Sequence, residues 1–180
     1  MWKKLKYIKE YLEYINEKIT IGKVDLELAK ELWIHAGHPG WAFKEICEEV
    51  DEELSVSIYD GDKAIGVYLL GTKGINDKVR EMDKRTVDQI IKEDISKYEN
   101  KKGIQGVHLS ILPEYRKKGL GRKLITYPYS LDFDYIWGMH SDFLENKSDW
   151  TKRRRVVIEI SDYLRQDTRN DGFYTLGDIK

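Results

Sequence analysis

Residues 116–122 read Arg-Lys-Lys-Gly-Leu-Gly-Arg, directly after an apolar run that closes at Pro113. Glycine takes positive φ readily and lets a bulky ligand approach the backbone. A helix that starts at such a loop leaves its first N–H groups without intrahelical partners, with the positive end of its dipole behind them. With Arg116, Lys117, Lys118, Arg122 and Lys123 around it, this is chemistry for an anion, and it suits a pyrophosphate. The third glycine of a dinucleotide fingerprint is missing, and no Gly-Lys-Ser/Thr of a Walker loop follows. Taken alone, the loop also fits a basic βα turn with no ligand.

The elements that must position this loop can be read from periodicity. Trp2, Leu5, Ile8, Leu12 and Ile15 recur at helical spacing, predicting an amphipathic helix over 3–16 within an extra N-terminal segment, 1–17. "KITIGKV" reads as a strand, and Asp25 can cap a helix carrying Leu28, Leu32 and Trp33. After "HAGHPGW", a second helix places Phe43, Ile46, Cys47 and Val50 on one face, which makes Cys47 a core residue. Leu54–Tyr59 and Lys63–Leu70 alternate around Asp60-Gly61-Asp62 as a hairpin.

Residues 72–103 are polar. Within them Val87, Ile90, Ile91, Ile95 and Tyr98 return to helical spacing behind a Thr86/Gln89 capping box, predicting a helical insertion. A strand over Ile104–Leu112, the basic loop and a helix from Leu120 to Tyr127 follow, and the helix ends near Pro128. "FDYIWGMHS" reads as a strand and Ser148 as the cap of a short helix, "DWTKRRR". "RVVIEI" alternates like a strand that pairs with "GFYTL". The order β-α-α-β-β-(helical insertion)-β-α-β-α-β-β predicts a mixed α/β sheet covered by helices, in a single domain over 1–180.

Composition narrows the function. With 180 residues the chain can bury a substantial core, and 35% charged and 41% hydrophobic residues are ordinary for a globular protein. A net charge of −1 gives no general drive toward nucleic acid or anionic membranes. One cysteine excludes an intrachain disulfide and agrees with a reducing cytoplasm. No apolar run reaches the roughly 18–20 residues of a membrane span, and the basic N-terminus lacks the apolar core of a signal peptide.

"LSILPEYRKKGLGRKLI" closely resembles the acyl-CoA-binding motif of the GNAT superfamily of N-acetyltransferases: a hydrophobic strand, a Pro two residues before an aromatic, then Arg/Gln-x-x-Gly-x-Gly/Ala opening a helix. Arg116, Gly119 and Gly121 occupy the motif positions, with Pro113, Tyr115, Arg122 and Leu124 around them. The resemblance implies a GNAT-like fold with acetyl-CoA as co-substrate and no metal. It implies that backbone N–H groups of Lys117, Lys118, Gly119, Leu120, Gly121 and Arg122 hold the pyrophosphate. It further implies that Leu109, Ser110 and Ile111 pair with the pantetheine arm, in the splay between this strand and "FDYIWGMHS". The Ile111 N–H would then donate to the thioester carbonyl.

Catalysis would also require a base for the acceptor amine and an acid for the leaving thiolate. His108 and His140, one on each splayed strand, are the candidate bases. Simple alternation sends His108 to the face opposite Gln105 and Val107 unless a bulge intervenes. Many relatives carry an Asn followed seven residues later by a Tyr near the thiolate. Here Asn146 is followed at that offset by Arg153, leaving Tyr135 and Tyr163 as substitutes in space. His35 and His38 sit in the loop that borders the acceptor pocket in this fold.

"EEVDEE", Glu48 to Glu53, would draw a cationic acceptor or simply form a solvated helix end. "KRRR", Lys152 to Arg155, would reach the 3′-phosphate of CoA or a nucleic acid. The expectation is a cytoplasmic N-acetyltransferase acting on a primary amine of unidentified type. The alternatives are a non-catalytic module that binds CoA or nucleic acid, and transfer to a protein or aminoacyl-tRNA. No membrane partner is expected, nucleic acid is disfavoured, and homodimerisation stays open.

Overall fold

Alternation and a tight turn give the sheet its first hairpin. β2 (Val56–Asp60) and β3 (Lys63–Gly71) pair antiparallel, Asp60 opposite Lys63, and β1 (Ile19–Lys23) pairs with the outer edge of β2. The computed structural model describes residues 18–82, 88–91, 93–140, 154–161 and 172–180. Among these, eight strands form one sheet in the order β1, β2, β3, β5 (Gly103–Ile111), β6 (Tyr135–His140), β8 (Gly172–Asp178), β7 (Arg155–Ser161) and β4 (Asp88–Ile91). The expected helices at 3–16 and after Ser148 fall outside the described residues.

β5 (Gly103–Ile111) and β6 (Tyr135–His140) are the one parallel pair in this sheet. Their crossover is the basic loop and the helix α4 (Leu120–Thr126), continued by a 3₁₀ turn, Tyr127–Ser130, that contains Pro128. A proline at that point agrees with the end of an α-helix. β7 (Arg155–Ser161) and β8 (Gly172–Asp178) pair antiparallel, and β8 adds to β6.

Helices cover both faces. α1 (Leu26–His35) starts at Asp25, whose carboxylate accepts the Leu28 N–H at 3.0 Å. α1 and α2 (Gly40–Cys47) pack Ala29, Leu32 and Phe43 on Val67 and Leu69. Ile46, Cys47 and Val50 join that cluster from their partly buried positions, so the thiol is a packing group, and burial pushes its pKa up. On the opposite face α4 lays Leu120 and Leu124 against Ile58, Tyr68, Ile104 and Ile136.

The insertion differs from the expectation. Helix α3 covers Ile75–Met82, with Ile75 buried and Val79 packed against the cluster that holds Tyr135 and Trp137. The segment read as helical from Val87 onward instead holds β4 (Asp88–Ile91), paired with β7 from Asp88–Ser161 to Ile91–Ile158, and then a 3₁₀ turn at Ser96–Tyr98. A strand edge offered by β7 overrides the local 3.6-residue periodicity.

Candidate functional site

The parallel ladder between β5 and β6 runs from Gly103–Tyr135 to Gly106–Gly138 and stops there. β5 continues to Ile111 along β3, while β6 continues to His140 along β8. The sheet therefore forks after the two facing glycines. At Gly106 a Cβ would lie 2.6 Å from the Tyr68 hydroxyl, so the side chain of β3 occupies that space.

The backbone of the fork is set by the β3–β5 register. Gly66 faces Ile111, and just beyond it the Leu112 N–H donates to the Ile65 carbonyl at 2.9 Å. Antiparallel pairs alternate between residues that bond across the ladder and residues whose groups point outward. Ile111 and Leu109 thus turn their N–H and C=O groups away from β3, and Ser110, facing Val67, turns its own toward β3. Arg116 folds back so that its Nε donates to the Ile111 carbonyl at 3.0 Å. The Ile111 N–H faces the fork.

The loop beyond has the backbone form that anion binding needs. Lys117 has φ +61° and Gly119 has φ +79°. Left-handed residues this close together turn successive N–H groups to one side of the chain, a concave cradle for an anion. Gly119 is the N-cap of α4 and provides no side-chain oxygen; its carbonyl accepts from Arg122 at 3.1 Å and Lys123 at 3.4 Å. The N–H groups of Leu120 and Gly121 precede these first intrahelical bonds. Lys117, Lys118 and Gly119 are exposed, and the Lys118 ammonium lies 4.8 Å from the Tyr115 ring.

His108 is where the structure departs most from simple alternation. Leu69 faces His108 while Leu70 faces Gly106, so Val107 is an extra, bulged residue. The bulge turns His108 to the same face as Gln105, toward α1 and α2. There the Trp33 ring meets it edge to face at 5.2 Å, and the His38 ring lies 6.4 Å away. Its Nε2 is buried without a hydrogen-bond partner. Burial, and the nearby His38 after it, lower its pKa to about 4, so the imidazole is neutral near pH 7 with a lone pair available.

Trp33 was legible only as a core residue. Its place against His108 depends on the Val107 bulge, which no periodicity announces. His35 ends α1 and His38 follows it in the exposed connecting loop. His140 ends β6, opposite Phe173 on β8.

Tyr135, expected as a candidate acid, lies at the end of the strand away from the fork. It opens β6 opposite Gly103, eight residues up β5 from Ile111, or roughly 26 Å at 3.3 Å per residue. Its ring is 1% exposed, its hydroxyl accepts the Ile75 N–H at 3.2 Å, and burial raises its pKa. It lines a cavity of about 260 Å³ with Asp77, Arg80, Glu99 and Lys102, remote from the fork. Asn146, Arg153 and Tyr163 fall outside the described residues.

The described arginines of the basic run, and Glu49 and Asp51 of the acidic run, have structural partners. Arg154 is 6% exposed, with its Nη2 3.3 Å from the Tyr68 hydroxyl, and Arg155 pairs with Glu93 at 2.5 Å and Asp178 at 3.1 Å. These two arginines are thus built into the fold rather than presented to a phosphate. In the acidic run, Glu49 accepts from Lys78 at 2.6 Å and from Gln105 at 2.8 Å. Burial pushes the Glu49 pKa up, but these bonds outweigh it and hold the carboxylate ionised. Asp51 accepts the Glu53 N–H at 3.0 Å, ordering the loop after α2. Among the described residues no group of three His, Cys, Asp or Glu side chains gathers as metal ligands would. No described helix is long and apolar enough to cross a membrane.

A mixed sheet that forks beside a parallel crossover, with a left-handed basic loop after the forking strand, defines the class of fold. The chain has the fold of the GNAT superfamily of N-acetyltransferases. It resembles the ribosomal-protein-S18-alanine N-acetyltransferase of Escherichia coli with a TM-score of 0.59 at 14% identity, over 90% of this chain and 94% of that one. Against Ard1 of Thermoplasma volcanium the TM-score is 0.61 at 9% identity, over 91% and 99%. Against Arabidopsis thaliana NAA60, a structure in complex with acetyl-CoA, it is 0.57 at 13% identity, over 89% and 99%. No protein-family model and no curated protein sequence matches the chain.

Proposed function

We propose that the protein is an acetyl-CoA-dependent N-acetyltransferase that acetylates a primary amine by direct attack in a ternary complex. The observation that carries this reading is the fork itself: the Ile111 N–H faces it, and the left-handed loop at Lys117–Gly119 opens beside it. Acetyl-CoA binding to a structural neighbour of the same fold supports the choice of donor.

In this reading the N–H groups from Lys117 to Arg122 receive the pyrophosphate of the substrate acetyl-CoA. The Ile111 N–H stabilises the oxyanion that forms when the amine nitrogen attacks the thioester carbon. Attack makes that nitrogen cationic and more acidic than the free ammonium, and a base must take its proton. His108, neutral and with Nε2 unpaired, is the base on the acceptor side of β5. Collapse of the intermediate breaks the C–S bond, leaving the N-acetyl product and a thiolate that takes up a proton. Tyr135 is not assigned to that last step, because its hydroxyl is committed to Ile75.

A thermal-shift titration with acetyl-CoA, followed by thiol release over a panel of amines, tests the proposal. Stabilisation together with amine-dependent thiol release is the expected result. Stabilisation without release on any acceptor points to a CoA-binding module instead, and no stabilisation at all overturns the donor assignment. Incubating a cell extract with labelled acetyl-CoA then separates small-molecule acceptors from protein and aminoacyl-tRNA acceptors by mass spectrometry.

A further inference from the structure

The loop between α1 and α2 lays one of its own rings where an acceptor would approach His108. The His38 imidazole is exposed and stacks on the Trp33 indole, with ring centroids 4.1 Å apart and planes 27° from parallel. Trp33 itself is fixed: its Nε1 donates to the Pro39 carbonyl at 3.0 Å, and the Phe43 ring supports it at 6.4 Å. The other end of this ring group is His108, whose Nε2 is buried and unpartnered. Such an atom gains a hydrogen bond as soon as an N–H donor reaches it.

Trp33 is half-buried, whereas His38 is exposed. It follows Gly37, which has φ +90°, in a run of exposed residues from Ile34 to Gly40. The same stretch of chain carries two large apolar side chains that face solvent, Trp41 at 68% exposure and Ile34 at 49%. A flat ring that replaced His38 on Trp33 would gain that stacking surface.

We propose that the Trp33 face covered by His38 is the acceptor subsite, that it takes a primary amine carrying a planar aromatic ring, and that His38 is a stand-in displaced when that ring binds. The assignment rests on the acetyltransferase reading above and names its substrate class. The 6.4 Å between the His38 and His108 rings is a span that an aromatic ring with a two-carbon amine tail bridges. The ring takes the place of the imidazole, and the amine reaches His108 Nε2. A polyamine offers Trp33 only a cation over its face, whereas the occupant in the structure is a stacked ring.

The test measures thiol release from acetyl-CoA by the full chain with phenethylamine, its saturated analogue 2-cyclohexylethylamine, and spermidine, with acetyl-CoA affinity measured separately by calorimetry. Phenethylamine should exceed both other amines in kcat/KM by about tenfold or more. His38→Ala should lower the KM for phenethylamine by about threefold, because an internal competitor is gone. Trp33→Leu should raise that KM by about tenfold with unchanged acetyl-CoA affinity, and Trp33→Phe, which keeps a stacking ring, should restore most of it. Equal use of the saturated amine, a preference for spermidine, or a KM for phenethylamine that His38→Ala leaves unchanged or raises would each overturn the assignment. Acetyl-CoA binding with no turnover of phenethylamine would overturn it too. Loss of acetyl-CoA binding in the unmodified protein would remove the acetyltransferase reading itself, and this assignment with it.

Discussion

His108 faces Leu69 across the β3–β5 ladder, while Gly106, two residues earlier, faces Leu70. The extra residue between them, Val107, decides which side of the sheet receives the imidazole. Without the bulge, His108 would point toward α4 and the Tyr68 side of the core. With it, the ring stands against Trp33, buried enough to stay neutral.

A pH dependence of stability follows with a definite sign. The His108 pKa is about 4 in the folded protein, against an ordinary value of 6.5. Between these values the unfolded chain binds a proton that the folded one refuses, so stability falls as pH drops from 6.5 to 4. The loss should be on the order of 2–3 kcal/mol. Urea denaturation at pH 7 and pH 4.5 checks this: the difference in unfolding free energy should shrink in His108→Gln. An unchanged difference would show that the imidazole is not shielded.

The proposed pyrophosphate loop can be tested through its backbone. Gly119 is left-handed, and an alanine there should cost about 1 kcal/mol of stability. It should also weaken acetyl-CoA binding about tenfold as the loop relaxes, and Gly119→Val should abolish binding. At Gly121 an added Cβ meets only the Ile111 Cδ1 at 3.6 Å, an ordinary contact. Gly121→Ala should therefore fold as the parent does. Calorimetry and denaturant titration on both variants separate the binding effect from the stability effect.

Arg154 should behave as a core residue. Replacing it with methionine removes a buried cation from beside Tyr68 and should destabilise the protein by about 2–4 kcal/mol. The acetyl-CoA affinity of the folded variant should stay within about threefold. A large loss of affinity with little change in stability would return the arginine to a phosphate-binding role.

The bond between Glu93 and Arg155 ties the segment after β4 to β7. Arg155, and Lys97 beyond it, hold the Glu93 pKa down to about 2. Its stabilisation is complete above the ordinary carboxylate range and is lost as pH falls through about 2. The pair is partly exposed, so solvent screening leaves about 1 kcal/mol. The Tm gap between the parent and Glu93→Gln should be largest near neutrality and narrow steadily below pH 4.5. A gap that does not depend on pH would mean that packing, not charge, carries the contact.

Local signals and non-local signals account for what the sequence could reveal. The Val56–Gly71 hairpin, the Asp25 cap and the β5–loop–α4 unit are each encoded within about twenty residues, and each was legible. The segment from Asp88 to Ile91 was not, because its partner, Ile158–Ser161, lies some seventy residues away. Helix α3 escaped notice because only Ile75 and Val79 mark its buried side. The proposed acceptor side was harder still. Trp33 looks like any helical core residue, and His108 alternates to the wrong face on paper. Their meeting depends on one bulge and on a loop from another element. Tyr135 misled for the opposite reason: its strand was correct, but its position along the strand was not.

The fork after Gly106 and Gly138 also bears on how the molecule comes apart. Among the described residues, four pairs, Gly103–Tyr135 to Gly106–Gly138, are the only ladder joining the strands β1, β2, β3 and β5 to β6, β8, β7 and β4. Such a seam is a natural boundary between two cooperative units that open separately. A ligand spanning the fork would act as a removable rung, and its arrival should slow amide exchange in β5 and β6 together, on both sides of the seam at once.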